Sequence, residues 1–209
     1  MSKEKKISVV FMGTPEFALF PLQSLIEHPG IEVMAVITQP DKKTGRKQVM
    51  TPSPVKLLAK KNNIPILQPK KVKDKEFVKL IKGLEPDFIV LVAFGQILPN
   101  ELIETPKYGS INNHGSLLPM HRGASPIQEA LLKGETATGV TIMKINEKLD
   151  EGGIYLMKRI PIEEKDDAGT LLAKLSVLGA ILLPYVVLDV AKGGLKPIPQ
   201  DHNKATYCT

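Results

Sequence analysis

An amide, an imidazole and a carboxylate are spaced along this chain in a way that acyl-type transfer could use. The run Ser110-Ile111-Asn112-Asn113-His114-Gly115-Ser116-Leu117-Leu118-Pro119 sets an asparagine two residues before a histidine. A separate segment, Leu149-Asp150-Glu151-Gly152-Gly153, supplies a carboxylate beside two glycines. A side-chain N–H can steady a developing oxyanion and an imidazole can carry a proton. A carboxylate can orient that imidazole and stabilise its charged form. Asn112, His114 and Asp150 are therefore the candidate catalytic residues. Taken singly, each has a plainer reading: Asn112 as a strand-end residue, His114 as a structural histidine, Asp150 as a turn acid. The combination carries the chemistry.

Such groups converge only if the chain brings them to one edge. Phe88-Ile89-Val90-Leu91-Val92-Ala93 is a continuous apolar run of the kind buried parallel strands show, and Gly109-Ser110-Ile111-Asn112 reads as the next strand, ending in polar residues. In open α/β sheets ligands bind outside the carboxyl ends of strands, where Asn112 and His114 would then stand. Strands are also expected at Ile7 to Met12, Ile31 to Thr38, Thr138 to Ile145 and Ile154 to Ile162, the last two as partners with Asp150 between them. Helices are expected at Phe17 to His28, Val55 to Asn62, Asp74 to Leu84, Pro126 to Lys133 and Thr170 to Ala191. Thr14-Pro15-Glu16 reads as the start of the first helix, with a capping hydroxyl, a proline and an acid. The alternation implies an α/β fold, a mostly parallel sheet with helices on both faces. The last helix, interrupted by Lys174 and Asp189, reads as buried rather than membrane-spanning, and Pro184 is expected to kink it.

The 209 residues, 43% apolar, are enough for a sizeable core. The polar start, Met1 to Lys6, precedes an apolar run too short for a signal peptide or membrane span, so the expectation is a cytoplasmic protein. One cysteine, Cys208, excludes a disulfide framework. The four histidines, His28, His114, His121 and His202, lack close ligand spacing, and no metal is expected. After the strand at Ile7, Met12-Gly13-Thr14-Pro15 holds one glycine where a dinucleotide fingerprint needs three.

The formal charge of +6 matters less than its clustering. Lys70, Lys71, Lys73 and Lys75 read as a solvated surface. Lys42, Lys43, Arg46 and Lys47 fall within Asp41 to Lys56, which Gly45, Pro52 and Pro54 mark as a long exposed loop. Loops of that length in compact domains are usually functional or disordered.

The central motif, with Val10-Phe11-Met12-Gly13-Thr14-Pro15-Glu16-Phe17-Ala18, Ala93-Phe94-Gly95-Gln96-Ile97-Leu98-Pro99, Arg122-Gly123-Ala124-Ser125-Pro126-Ile127-Gln128 and Gln200-Asp201-His202-Asn203-Lys204-Ala205-Thr206-Tyr207, resembles the 10-formyltetrahydrofolate-dependent formyltransferase family over nearly the whole chain. Within that family it resembles members that formylate methionine on initiator tRNA. The resemblance implies a Rossmann-like catalytic domain over residues 1–192, with 193–209 starting a linker to an oligonucleotide-binding barrel beyond this sequence. It implies transfer of a formyl group from 10-formyltetrahydrofolate to the amino group of methionyl-initiator tRNA, by a monomer with no membrane partner. Asn112, His114 and Asp150 match its catalytic trio. Phe94, Gly95, Gln96, Ile97 and Leu98 match the wall around the pterin, and Ser116, Leu117, Leu118 and Pro119 the folate-contact loop. Lys42, Lys43, Arg46 and Lys47 match the loop that enters the tRNA acceptor end.

Three features depart from that pattern: Gly115 beside the histidine, which should loosen the backbone, Glu129 at a commonly apolar position, and Asn146-Glu147-Lys148 before Asp150. The alternatives are a formyltransferase acting on a small acceptor, glycinamide ribonucleotide or an amino-sugar nucleotide, and a non-catalytic RNA-binding module that uses the basic loop alone.

Overall fold

The computed structural model describes residues 5–209; of the polar start read over Met1 to Lys6, residues 1–4 lie outside the described residues. The strands and helices follow in the order β1 (Ile7–Gly13), α1 (Leu19–Glu27), β2 (Ile31–Ile37), β3 (Lys42–Thr44), β4 (Val49–Thr51), α2 (Pro54–Lys61), β5 (Ile66–Leu67), α3 (Lys75–Gly83) and β6 (Phe88–Val92). They continue as α4 (Asn100–Ile103), β7 (Ser110–His114), β8 (Arg122–Gly123), α5 (Pro126–Leu132), β9 (Ala137–Lys144), β10 (Ile154–Pro161), α6 (Ala168–Ala191) and β11 (Tyr207–Cys208).

Seven strands form one sheet in the order β10-β9-β7-β6-β1-β2-β5. The five from β7 to β5 are parallel, while β9 runs antiparallel to β7 and β10 antiparallel to β9. The side-chain period of two divides β1 between both faces. Val9 and Phe11 enter one core with Leu22, Leu25, Leu171 and Leu183. Val10 and Met12 enter the other with Phe77, Ile81 and Leu102. Strands buried on both sides have no polar face to show, which is why these segments read as unbroken apolar runs.

Helix starts follow local chemistry. Ser53 accepts from the Lys56 amide with Pro54 in the first turn of α2, and Asp74 accepts from Glu76 at the start of α3. Asp167 and Thr170 cap α6 reciprocally. Such caps contribute about 0.5–2 kcal/mol each. The first helix departs from expectation, because a 3₁₀ turn over Glu16–Ala18 precedes α1 and Thr14 caps nothing. The Thr14 hydroxyl instead accepts from the Gln39 amide at 3.1 Å. Pro21 would crowd the Phe17 carbonyl in a continuous helix, so α1 carries it in its first turn.

A mean hydropathy of 2.2 makes α6 apolar enough to cross a membrane by composition, yet Leu171, Leu175, Leu183, Val186 and Val187 are fully buried against the sheet. It is a core helix, and it runs unbroken past Pro184. The stretch read as a long loop holds a hairpin, with Lys42 opposite Thr51 and Thr44 opposite Val49. Its turn uses Gly45 and Gln48, both at positive φ. Residues 193–209, read as the start of a linker, return to the sheet: Ile198 and Ile154 exchange backbone hydrogen bonds of 2.8 and 2.9 Å, and β11 pairs in parallel with β8.

Candidate active site

Strand order reverses between β1 and β6, since β2 and β5 lie to one side of that pair and β7, β9 and β10 to the other. The carboxyl ends of these parallel strands form the crevice where open α/β sheets hold ligands. The Phe94 carbonyl accepts there from the Gln39 side chain at 3.1 Å, tying the exit of β6 to that of β2.

Asn112 sits opposite Leu91 of β6 and Met143 of β9, and His114 opposite Thr141, so the polar end of β7 is gripped by a strand on its outer side. Asp150 comes from the β9–β10 connection with a φ of 50°. Gly152 makes that path possible, because a Cβ there would stand 1.7 Å from the Lys144 carbonyl oxygen.

The structure brings the three candidate residues together. The Asn112 side chain donates to Asp150 Oδ1 at 3.2 Å, and the Gly123 amide donates to Oδ2 at 2.9 Å. His114 Nδ1 lies 3.7 Å from Oδ2, with both side chains nearly buried. One N–H of Asn112 is thus committed and the other is free to donate to a substrate oxygen. His114 Nε2 stands 2.9 Å from the His121 carbonyl, which only accepts, so Nε2 carries a proton in either charge state. Nδ1 is then the atom that gains or gives one. Sequence reading gave Asp150 the task of orienting the imidazole. The orienting bond comes from the His121 carbonyl, and Asp150 stands at ion-pair distance.

The loop after His114 is held from β9, where Thr141 Oγ1 donates to the Ser116 carbonyl at 2.6 Å and accepts from the Leu118 amide at 3.1 Å. Ser116 and Leu118 are buried, and Leu117 and Pro119 only partly so. The 94–98 segment divides in the same way. Phe94 and Leu98 are core side chains, whereas Gly95 and Ile97 are exposed and the Gln96 side chain accepts from the Val72 amide at 3.0 Å. The exposed surface of this segment is that of Gly95 and Ile97. Lys42, Lys43, Arg46 and Lys47 are all exposed on the β3–β4 hairpin, and none is in an ion pair among the described residues. Their hairpin leaves the carboxyl end of β2, on the same edge as the trio. At its base Lys56 Nζ bonds Asp41 at 2.7 Å, and Lys56 followed by Gln68 holds the Asp41 carboxyl below its ordinary value.

Sequence reasoning missed the residues behind the trio. Arg122 is fully buried: its guanidinium reaches Gln200 Oε1 at 2.8 and 3.2 Å, the Tyr207 hydroxyl at 3.2 Å and Glu151 at 3.3 Å. Gln200 Nε2 donates to the carbonyls of Asp150 and Gly152, both at 2.8 Å. The Cys208 thiol, pushed up by burial and so kept protonated, donates to the carbonyls of His121 and Arg122. Gly123, at a φ of 120°, lets β11 pass, since a Cβ there would lie 2.0 Å from the Cys208 carbonyl oxygen. A buried arginine and a polar tail have no periodic signature. A concavity of about 560 Å³ between α1 and α6 involves none of the trio, which instead stands at the sheet edge. Among the described residues no cluster of three or more metal-ligating side chains occurs.

Residues 5–187 match the family model described as formyl transferase. The chain belongs to the formyl transferase family. It is 53% identical over 201 residues to the methionyl-tRNA formyltransferase of Geobacillus sp. (strain WCH70), covering 96% of this chain and 63% of that protein. The chain thus spans somewhat less than two thirds of that relative's length. Among solved structures, phosphoribosylglycinamide formyltransferase from Anaplasma phagocytophilum aligns with a TM-score of 0.76 at 20% identity, covering 98% of this chain and 100% of that one. An N-formyltransferase from Helicobacter canadensis, solved with folinic acid and dTDP-3-aminofucose, aligns with a TM-score of 0.70 at 20% identity over 97% of this chain and 70% of that one. At such identities the two structures show a shared formyltransferase fold, with its mostly parallel sheet and flanking helices.

Proposed function

We propose that this chain transfers a formyl group from 10-formyltetrahydrofolate to the amino group of methionyl-initiator tRNA. The observation that carries the reading is the convergence of Asn112, His114 and Asp150, within 3.7 Å along the Asn112–Asp150–His114 path, at the carboxyl edge of the sheet. Formyl transfer moves one acyl carbon and one proton. The acceptor amine bonds to the formyl carbon, the bond from that carbon to N10 of the donor breaks, and a proton leaves the amine and reaches N10. The free N–H of Asn112 serves the oxygen that gains charge, and loss of one such donor typically costs about 10²- to 10³-fold. His114 Nδ1 carries the proton between the two nitrogens, with Asp150 stabilising the imidazolium.

The donor class is supported by family membership and by folinic acid in the Helicobacter canadensis neighbour. The acceptor is supported by 53% identity to a methionyl-tRNA formyltransferase and by the basic hairpin on the edge that holds the trio. Residues 94–98 and 116–119 border the same edge and serve the folate through Gly95, Ile97 and the loop backbone. The test offers the chain 10-formyltetrahydrofolate with methionyl-initiator tRNA and glycinamide ribonucleotide as competing acceptors. Formyl-methionine on tRNA is the expected product. Product on the nucleotide alone would overturn the tRNA reading and leave the transfer chemistry standing.

A further inference from the structure

Asp150 sits at a positive φ, less favourable for a residue with a Cβ than for glycine, and its backbone carbonyl is held from outside the turn. That hold comes from a residue 50 positions away. Gln200 is buried, its two N–H groups reach the carbonyls of Asp150 and Gly152, and its oxygen accepts twice from the Arg122 guanidinium. No other side-chain type offers two donors and an acceptor at this reach. Arg122 in turn is fixed by Tyr207, Glu151 and His202, the last at 3.0 Å.

We propose that Gln200, backed by Arg122, is a positioning residue that holds the Asp150 carboxylate against Asn112 and His114. This rests on the trio being the catalytic set. Without Gln200 the Asp150 and Gly152 carbonyls lose their fixed donors, and the Asp150 carboxylate drifts from the Gly123 amide. A displacement of about 1 Å at reacting groups costs on the order of 10²-fold.

The test compares the protein with Gln200→Ala and Gln200→Glu, with Lys196→Ala, exposed on the same segment, as control. Glutamate keeps the acceptor for Arg122 and loses both donors. Expected for both Gln200 variants is a fall in kcat of about 10- to 100-fold, with KM for donor and acceptor within about twofold. Hydrogen exchange at the Gly123 amide should accelerate while the amides of β6 stay protected. Wild-type kcat in both variants, or lost kcat with Gly123 still protected, overturns the proposal. The rates are taken on whichever acceptor the unmodified protein uses, so failure of the tRNA reading leaves this test intact. If neither acceptor is formylated, Gly123 exchange alone decides.

Discussion

Asp150 serves three partners with two oxygens, and the sequence around it explains how. Gly152 clears the Lys144 carbonyl, so the turn folds tightly enough to aim the carboxylate at Asn112 and His114. Asp150→Asn should leave the thermal midpoint within a few degrees of wild type and lower kcat by at least about 10²-fold, since an amide cannot balance an imidazolium. Steady-state rates beside a melting curve check this, and near-normal turnover would remove Asp150 from the mechanism. Gly115 behaves unlike the glycine expected to loosen its neighbour. Its φ is not positive, and a Cβ would meet Phe17 and Ile127 at 3.4 and 3.5 Å, ordinary contact distances. Gly115→Ala should therefore stabilise the fold by about 0.5 kcal/mol through the unfolded chain, measured by urea unfolding. At this scale the sequence made the candidate residues legible and hid their supports. Asn112 and His114 are two apart on one strand, whereas Arg122 and Gln200 meet only because separate segments end at one place. Phe94 and Leu98, which the resemblance assigns to a ligand wall, are buried side chains, so their exposure gives no sign of a ligand edge.

Among the elements, the β3–β4 hairpin was the least legible. Its strands are three residues each and exposed throughout, so neither burial nor alternation marks them. Its basic residues support the reading of a phosphate-binding arm. Arg46→Ala with Lys47→Ala should weaken use of methionyl-tRNA and lower the slope of log KM against log salt by about 0.7–0.9 per charge removed. An unchanged slope would place docking elsewhere. The anchor of the hairpin has a pH signature of its own. Asp41 titrates below its ordinary 3.8 because Lys56 and Gln68 bind its charged form. Its contribution is therefore complete above pH 3.8 and is lost as pH falls through the depressed folded value. Hairpin amide exchange, corrected for intrinsic rate, should thus show no step from this pair between pH 5 and 8. A step inside that window would mean the Asp41–Lys56 contact is not the anchor.

The whole molecule follows from strands that are buried twice over. Their unbroken apolar runs, separated by amphipathic segments, make the mostly parallel sheet readable in the sequence. The antiparallel β9–β10 edge was readable as a pair because Asp150 and its glycines fall between two strand-like runs. The core helix α6 unites α1 with the sheet, so Leu183→Ala should cost about 2–5 kcal/mol in urea unfolding while leaving KM for both substrates unchanged. A shifted KM would mean that packing on this face reaches the site.

The return of residues 198–208 to β8 and the Asp150 turn also sets an order of events. Those contacts join positions 48 to 87 apart, so their loop-closure entropy is met only after the intervening sheet exists. On a ribosome the chain emerges from its N-terminus, and the sheet can assemble while residues 198–208 are still in the exit tunnel. The Asp150 turn is then braced only after the sheet that carries Asn112 and His114, and a nascent chain halted before Gln200 would hold the sheet while the Asp150 and Gly152 carbonyls still lack their donors.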